Sequence, residues 1–264
     1  MAQRAGARPF LWEMLGRVEY EPAVGLQERL RAERIARRIL DVLLLLEHPP
    51  VLTIGRGGNW ANVLASEETL RTRGIRVHRI GRGGDVTYHG PGQLVGYPIL
   101  DLRERGRDVH RYLRDLEEVF IRLLARRGLR AERIPGATGV WVGGKKILAI
   151  GVGVRKWVTL HGFAFNVSAD LSYFGLIRPC GFEAESVTSL QQLLDRGEEA
   201  ATLDGVAQET AEVFAEVFGM DAMRLEGSGH GVCDIIDEFT SAPDGVRSRL
   251  SRTERDSPHC PGGL

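Results

Sequence analysis

GRGGDVTYHGPGQLVGYP, residues 81–98, is the stretch on which the reading of this chain turns. Its eighteen residues hold six glycines and two prolines, with Arg82, Tyr88 and His89 set among them. Glycine at that density lets the backbone turn where side chains would block it, and lets a ligand approach the main-chain N–H groups. Val86–His89 reads as a short strand, and Leu94–Leu100 reads as the next one. A plain turn has no use for a clustered arginine, tyrosine and histidine, so the segment is read as a binding loop held between strands.

The flanking sequence extends this into a sheet with helices on it. Upstream, Ile75–Ile80 alternates like a strand that delivers the chain to Arg82, and Glu67–Arg73 is a short helix stopped by Gly74. Val51–Gly55 leads into a second Arg-Gly-Gly, Arg56–Gly58. Asp41–Glu47, DVLLLLE, is a continuous apolar run ended by His48-Pro49-Pro50, and its length suits a strand buried on both faces. Glu19–Arg38 is the first helix, with a rough stripe of Leu26, Leu30, Ala36 and Ile39. Downstream, Asp108–Arg127 is the clearest helix, with apolar residues recurring every three or four positions, Asp108 as N-cap and Gly128 closing it. Leu203–Phe218, stopped by Gly219, is a closing helix.

Between those helices lie Gly139–Val142 and Lys146–Val154, two strands joined by the hairpin signal Gly143-Gly144. On the second strand Leu148, Ile150, Val152 and Val154 share one parity and can fill a core. Ile147, Ala149, Gly151 and Gly153 share the other, a mostly small set, as expected where a ligand or another backbone lies close. Pleat alone places Lys146 with the large set, but a hairpin end can escape that alternation, so its direction stays open. Leu160–Val167 is a further strand, Asp170–Gly175 a helical turn, and Ile177–Phe182, IRPCGF, a tight non-helical segment.

At 264 residues the chain has room for one good core, read as a single α/β domain over residues 1–225. From 226 the composition shifts to GSGHG, SAPDG and SPHCPGGL, and 226–264 is expected to be a mostly disordered tail. Lysine plus arginine and aspartate plus glutamate each number 35, so no global basic field argues for nucleic acid. No apolar run reaches the ~18 residues of a membrane span. Residues 1–10 lack a signal-peptide core, so a cytoplasmic location is expected. The cysteines are Cys180, Cys233 and Cys260, with no CxxC pair, which fits a reducing compartment; neither they nor the histidines show metal-ligand spacing.

Cys180, between Pro179 and Gly181, can present its sulfur to a pocket. A free thiol, with pKa ~8.5, is a useful nucleophile once a cation or base stands beside it. Lys145, Lys146, His89 and His161 are the candidates for that partner, and spacing does not choose among them.

These residues carry a resemblance. LLLLEHPPVLTIGR (43–56), GRGGDVTYHGPGQLVGYPILDL (81–102), GVWVGGKKILAIGVGV (139–154), TLHGFAFNVSADL (159–171) and IRPCGF with VTSL (177–190) are similar, in order, to the octanoyltransferases of lipoate biosynthesis. The resemblance covers roughly residues 12–220 and leaves the tail out. It implies the fold of biotin and lipoate protein ligases, a mixed β-sheet flanked by helices. It also implies transfer of an octanoyl group from octanoyl-acyl carrier protein, through a cysteine thioester, to a lysine of lipoyl domains. Those acceptors are the lipoyl domains of 2-oxoacid dehydrogenase E2 subunits and the glycine cleavage H protein. In this register Cys180 is the nucleophile and Lys146, not Lys145, its partner. The implied substrate-binding stretches are Arg82, Gly83, Gly84, Asp85, Val86, Thr87, Tyr88 and His89, then Ala149, Ile150 and Gly151, then Gly162, Phe163 and Ala164. No cofactor and no metal are expected, because a thioester is already activated. The rival readings are an ATP-dependent lipoate or biotin ligase, and a non-catalytic lipoyl-domain binder on the same fold.

Overall fold

The computed structural model describes residues 7–178, 186–194 and 201–225. Cys180 and the 226–264 segment therefore lie outside the described residues. Among the described residues there are eleven strands: β1 (Arg8–Arg17), β2 (Asp41–Glu47), β3 (Val51–Ile54), β4 (Arg76–Arg79), β5 (Val86–His89), β6 (Gln93–Ile99), β7 (Ala131–Glu132), β8 (Gly139–Val142), β9 (Lys145–Arg155), β10 (Val158–Asn166) and β11 (Met220–Arg224). The helices are α1 (Tyr20–Ile35), α2 (Glu67–Thr72), α3 (Val109–Arg126), α4 (Leu190–Leu193) and α5 (Leu203–Phe218). Short 3₁₀ turns at Trp60–Asn62, Leu102–Arg105 and Leu171–Leu176 complete them.

Eight strands form a mixed sheet in the order β11-β1-β2-β6-β10-β9-β8-β7, and β4-β3-β5 form a smaller one. The expected mixed sheet flanked by helices is what the chain builds. β2 explains why: its continuous apolar run serves two cores at once. Leu43 and Leu45 pack with α3 and α5 residues such as Phe120, Leu123 and Phe214. Val42, Leu44 and Leu46 pack on the opposite face with Ala23, Leu26 and Leu30 of α1. Successive strand residues point to opposite faces, so only a strand covered on both sides can be apolar throughout.

The third core lies between the small sheet, α2 and the 3₁₀ turn at 171–176, where Leu52, Val86, Tyr88, Leu70 and Phe174 meet. Asp108 caps α3 by accepting from the Arg111 N–H, and Gly128 follows with φ +72°. The Gly143-Gly144 hairpin is confirmed, with φ +56° and +76°, values that cost an L side chain energy and glycine little.

Three strands went unread in the sequence, as did α4 and the 3₁₀ turns at Trp60–Asn62 and Leu102–Arg105. β1, whose RPFLWEMLGR mixes its buried positions without alternation, pairs parallel with both β2 and β11. β11 and the two-residue β7 are equally short of pattern. α1 also stops at Ile35, three residues before the expected Arg38, where Arg37 adopts φ +60°.

Candidate active site

A cleft of about 800 Å³, its open mouth included, lies between the α1-side face of the large sheet and the small sheet. The Arg82–Gly84 turn builds one wall, and the Arg56–Gly58 turn is hydrogen-bonded to it. The Gly55, Arg56 and Gly57 N–H groups donate to the Asp85, Arg82 and Gly84 carbonyls at 3.0–3.2 Å. A Cβ on Gly55 would lie 2.3 Å from the Gly84 oxygen, so the two turns interlock only because that residue is glycine. Gly83 donates to the Val152 carbonyl at 2.9 Å and ties the loop to β9. Arg82 is buried, donating through Nη2 to the Thr53 carbonyl (2.8 Å) and Thr53 Oγ1 (3.0 Å), and through Nη1 to the Gly83 carbonyl (2.9 Å).

The floor is made of β6, β9 and β10. Ala149 and Gly151 face it from β9, Gly162 and Ala164 from β10, and Val95 and Tyr97 from β6. On the other side of the same strands, Leu148, Ile150, Val152 and Val154 join the core under α3 and α5. Ala149 and Gly151 of the smaller parity therefore line the cleft, as the alternation suggested, whereas Ile147 joins the core on the other face and Gly153 is not among the lining residues.

Lys146 breaks that alternation. Val140 pairs with Leu148 but its neighbour Trp141 pairs with Lys146, so β9 spends one extra residue, Ile147, against β8. Ile147 and Leu148 are consecutive and yet both buried in the same core. Such a bulge re-aims the residues before it. Lys146 thus lines the cleft beside Ala149 rather than joining Leu148. Its ammonium lies 5.1 Å from the ring centre of the buried Trp141. Gly139 leaves room for its stem: a Cβ there would lie 2.7 Å from Lys146 Cε.

Of the other expected residues, Arg82, Gly84, Asp85, Val86, Thr87, His89, Ile150 and Phe163 line the cleft as well. Gly83 is not among the lining residues. Tyr88 is placed elsewhere: it stacks on Tyr173 with ring centres 4.9 Å apart, inside the third core. Its neighbour His89 points into the cleft because strand residues alternate. Lys145 is exposed at the hairpin end and is not among the lining residues. His161 does line the cleft and has φ +58°, an uncommon value for a residue with a Cβ; its N–H donates to Gln27 Oε1 at 2.9 Å.

The structure adds residues that the pattern did not single out. Tyr20, Tyr97 and Phe174 line the cleft, and Ser186 and Val187 close it next to Lys146. Their signal in the sequence is weak, because each is an ordinary aromatic or small residue drawn in from a different element. His48 lies behind Tyr97: its Nδ1–H donates to the Val18 carbonyl at 2.7 Å, which leaves Nε2 to accept from the Tyr97 hydroxyl at 2.7 Å.

The cleft histidines are held neutral. Burial lowers His89 to about 3, with nearby His48 and Arg82 adding to the effect. Burial lowers His161 to about 4, with Arg82, Arg31 and Arg56 adding to it, and His48 to about 4. Near neutral pH these imidazoles are uncharged hydrogen-bonding groups. No cluster able to hold a metal is found among the described residues, and no helix there is long and apolar enough to cross a membrane.

Comparison with known proteins bears on this site. Residues 19–215 match the model of the lipoyl protein ligase A/B catalytic domain. An octanoyltransferase of Caldicellulosiruptor saccharolyticus is 54% identical over 76% of this chain and 86% of its own length. An octanoyltransferase of Acidobacterium capsulatum is 50% identical over 86% and 96%. Among solved structures, a bi-partite lipoate protein ligase from Thermoplasma acidophilum superposes with TM-score 0.61 at 21% identity, covering 90% of this chain and 95% of that one. That likeness shows the fold; the sequence relatives show the kind of chemistry. The chain belongs to the lipoyl protein ligase A/B catalytic-domain family, and within it to the acyltransferases that are named octanoyltransferases.

Proposed function

We propose that this acyltransferase moves an octanoyl group from octanoyl-acyl carrier protein to Cys180, and from Cys180 to a lysine of a lipoyl domain. The acceptors are the lipoyl domains of 2-oxoacid dehydrogenase E2 subunits and the glycine cleavage H protein. The observation that supports this most is the bulge at Ile147, which spends a residue of β9 to turn an amine into an otherwise small-residue cleft. Cys180 is two residues beyond Arg178, whose N–H donates to the Asn62 carbonyl at 2.8 Å. Two residues of extended chain reach ~7 Å. Phe174 on one side of that segment, and Ser186 and Val187 on the other, line the cleft with Lys146.

In the first half-reaction the Cys180 sulfur attacks the donor thioester carbonyl. Lys146 receives the proton shed by the Cys180 thiol and passes it to the departing carrier thiolate, which leaves as the thiol and returns Lys146 to its neutral form. In the second, the acceptor amine attacks the new thioester; a C–N bond forms, the C–S bond breaks, and the amine proton returns to sulfur through Lys146. The reaction exchanges thioester for amide and consumes no nucleotide. Ala149, Gly151, Gly162 and Ala164 leave the volume for the acyl chain, and each buried CH₂ contributes about 0.8 kcal/mol. The neutral His89 and His161 suit that role, since a charged imidazole beside the chain would have to be desolvated.

Intact-protein mass after mixing with octanoyl-acyl carrier protein, without ATP, tests the proposal. One octanoyl group should add to the wild type, be lost on adding a lipoyl domain, and be absent from Cys180→Ser. Modification of the lipoyl domain that requires ATP and survives Cys180→Ser would assign the chain to the ligase chemistry instead.

A further inference from the structure

Lys146 has an unusual neighbour on one side. β10 runs beside β9 only as far as Phe165 against Leu148, and there parts from it while staying paired with β6. The place beside Lys146 is taken by residues 187 and 188: Val187 forms a bridge with Lys146, and the Thr188 N–H donates to the Lys146 carbonyl at 2.9 Å. That short segment is held by the side chain at the end of β10. Asn166, 4% exposed, donates from Nδ2 to the Thr188 carbonyl at 3.0 Å.

The other end of Asn166 is equally engaged. Gln93 and Asn166 face each other across β6 and β10, and Gln93 Nε2 donates to Asn166 Oδ1 at 2.9 Å and to the Tyr88 carbonyl at 3.2 Å. Gln93 Oε1 then accepts from His89 Nδ1 at 2.9 Å. Two main-chain carbonyls, which only accept, fix which way round both amides sit. The result is a buried chain of one polarity from His89 in the cleft wall to the backbone of Lys146.

We propose that Asn166 is a positioning residue: through Thr188 it holds the 187–188 segment against Lys146 and thereby sets where the Lys146 amine stands in the cleft. This rests on the reading of Lys146 as the group that handles the proton. A bulged strand end carries few ladder hydrogen bonds of its own, so its placement depends on whatever flanks it. A displacement near 1 Å of a group that transfers a proton can cost about 10²-fold in rate.

Asn166→Asp tests this, because it keeps the shape and the Gln93 bond while turning the donor toward Thr188 into an acceptor. With octanoyl-acyl carrier protein and a lipoyl domain as substrates, kcat should fall about 10²-fold with KM for the donor within about threefold. The loss should be absent when the same change is made in a Lys146→Ala background, since both changes then act on one group. A merely structural role would instead lower the melting temperature and leave kcat per folded molecule unchanged. Wild-type kcat in Asn166→Asp, or equal losses with and without Lys146, would overturn the inference. Asn166→Ala, which brings no charge, carries the same test if Asn166→Asp does not fold. If Lys146→Ala itself keeps wild-type kcat, the reading of Lys146 fails, and that result is distinct from a silent Asn166.

Discussion

The two faces of β9 and β10 make opposite uses of the same strands. Toward α3 and α5 they present Leu148, Ile150, Val152, Phe163 and Phe165, packed into the largest core. Toward the small sheet they present Ala149, Gly151, Gly162 and Ala164, which leave a cleft. The glycines there are set by contact as much as by the cavity. A Cβ on Gly162 would lie 2.2 Å from the Gly96 oxygen, and one on Gly151 would lie 2.8 Å from Arg82 Cδ. A sheet can therefore carry stability on one face and a site on the other, provided the side-chain volume is taken off the second face and replaced by backbone contacts.

Changes on either face should separate stability from activity. Leu148→Ala, in the core at 0% exposure, should cost 2–5 kcal/mol of unfolding free energy, with kcat per folded molecule unchanged. Denaturant melts and active-site titration would show it; a drop in kcat without a loss of stability would break the division between faces. Gly151→Val should do the reverse. It fills the cleft and pushes on Arg82, and the expected loss is about 10²-fold in kcat/KM per folded molecule, or about 2.7 kcal/mol, beside an overpacking cost of about 1–3 kcal/mol in stability. An unaltered kcat/KM would mean that the acyl chain does not pass this point.

Taken per residue, the smallest effect concerns acid. His48 and His161 titrate at about 4 and His89 at about 3 in the folded chain, all below the ~6.5 of an unfolded histidine. As pH falls below about 6.5 the unfolded chain takes up protons that the folded chain refuses, so stability drops. Each such histidine contributes about 1.4 kcal/mol per pH unit until its folded-state value is reached, and above pH ~6.5 the effect vanishes. Melting temperatures between pH 7 and 5 would reveal it. A flat profile there would show that these imidazoles are already protonated or already exposed.

The legible parts of the sequence were those with strong local pattern. The apolar run at 41–47 announced a strand covered on both faces, and the period of 109–126 announced α3. The Gly-rich motif around Arg82 and the parity of 148–154 pointed to most of one cleft. β1 was missed because its burial depends on strands far away in the chain, and Tyr88 was placed at the site although its ring belongs to the third core. Tyr20, Tyr97 and Ser186 come to the cleft from separate elements, and nothing local marks them.

Lys146 shows the division most clearly. The sequence by itself determined that an amine stands at the end of a hairpin strand whose two faces differ in size, because side-chain volume and period are local properties. It also determined the family, through motifs in a fixed order. Only the tertiary structure decided which face receives the amine. That depends on an extra residue in β9 relative to β8, and on Val187 and Thr188 taking the place that β10 vacates. A bulge is a mismatch between two strands, and a filled sheet position is a contact between distant segments. Neither is a property of any one stretch of chain.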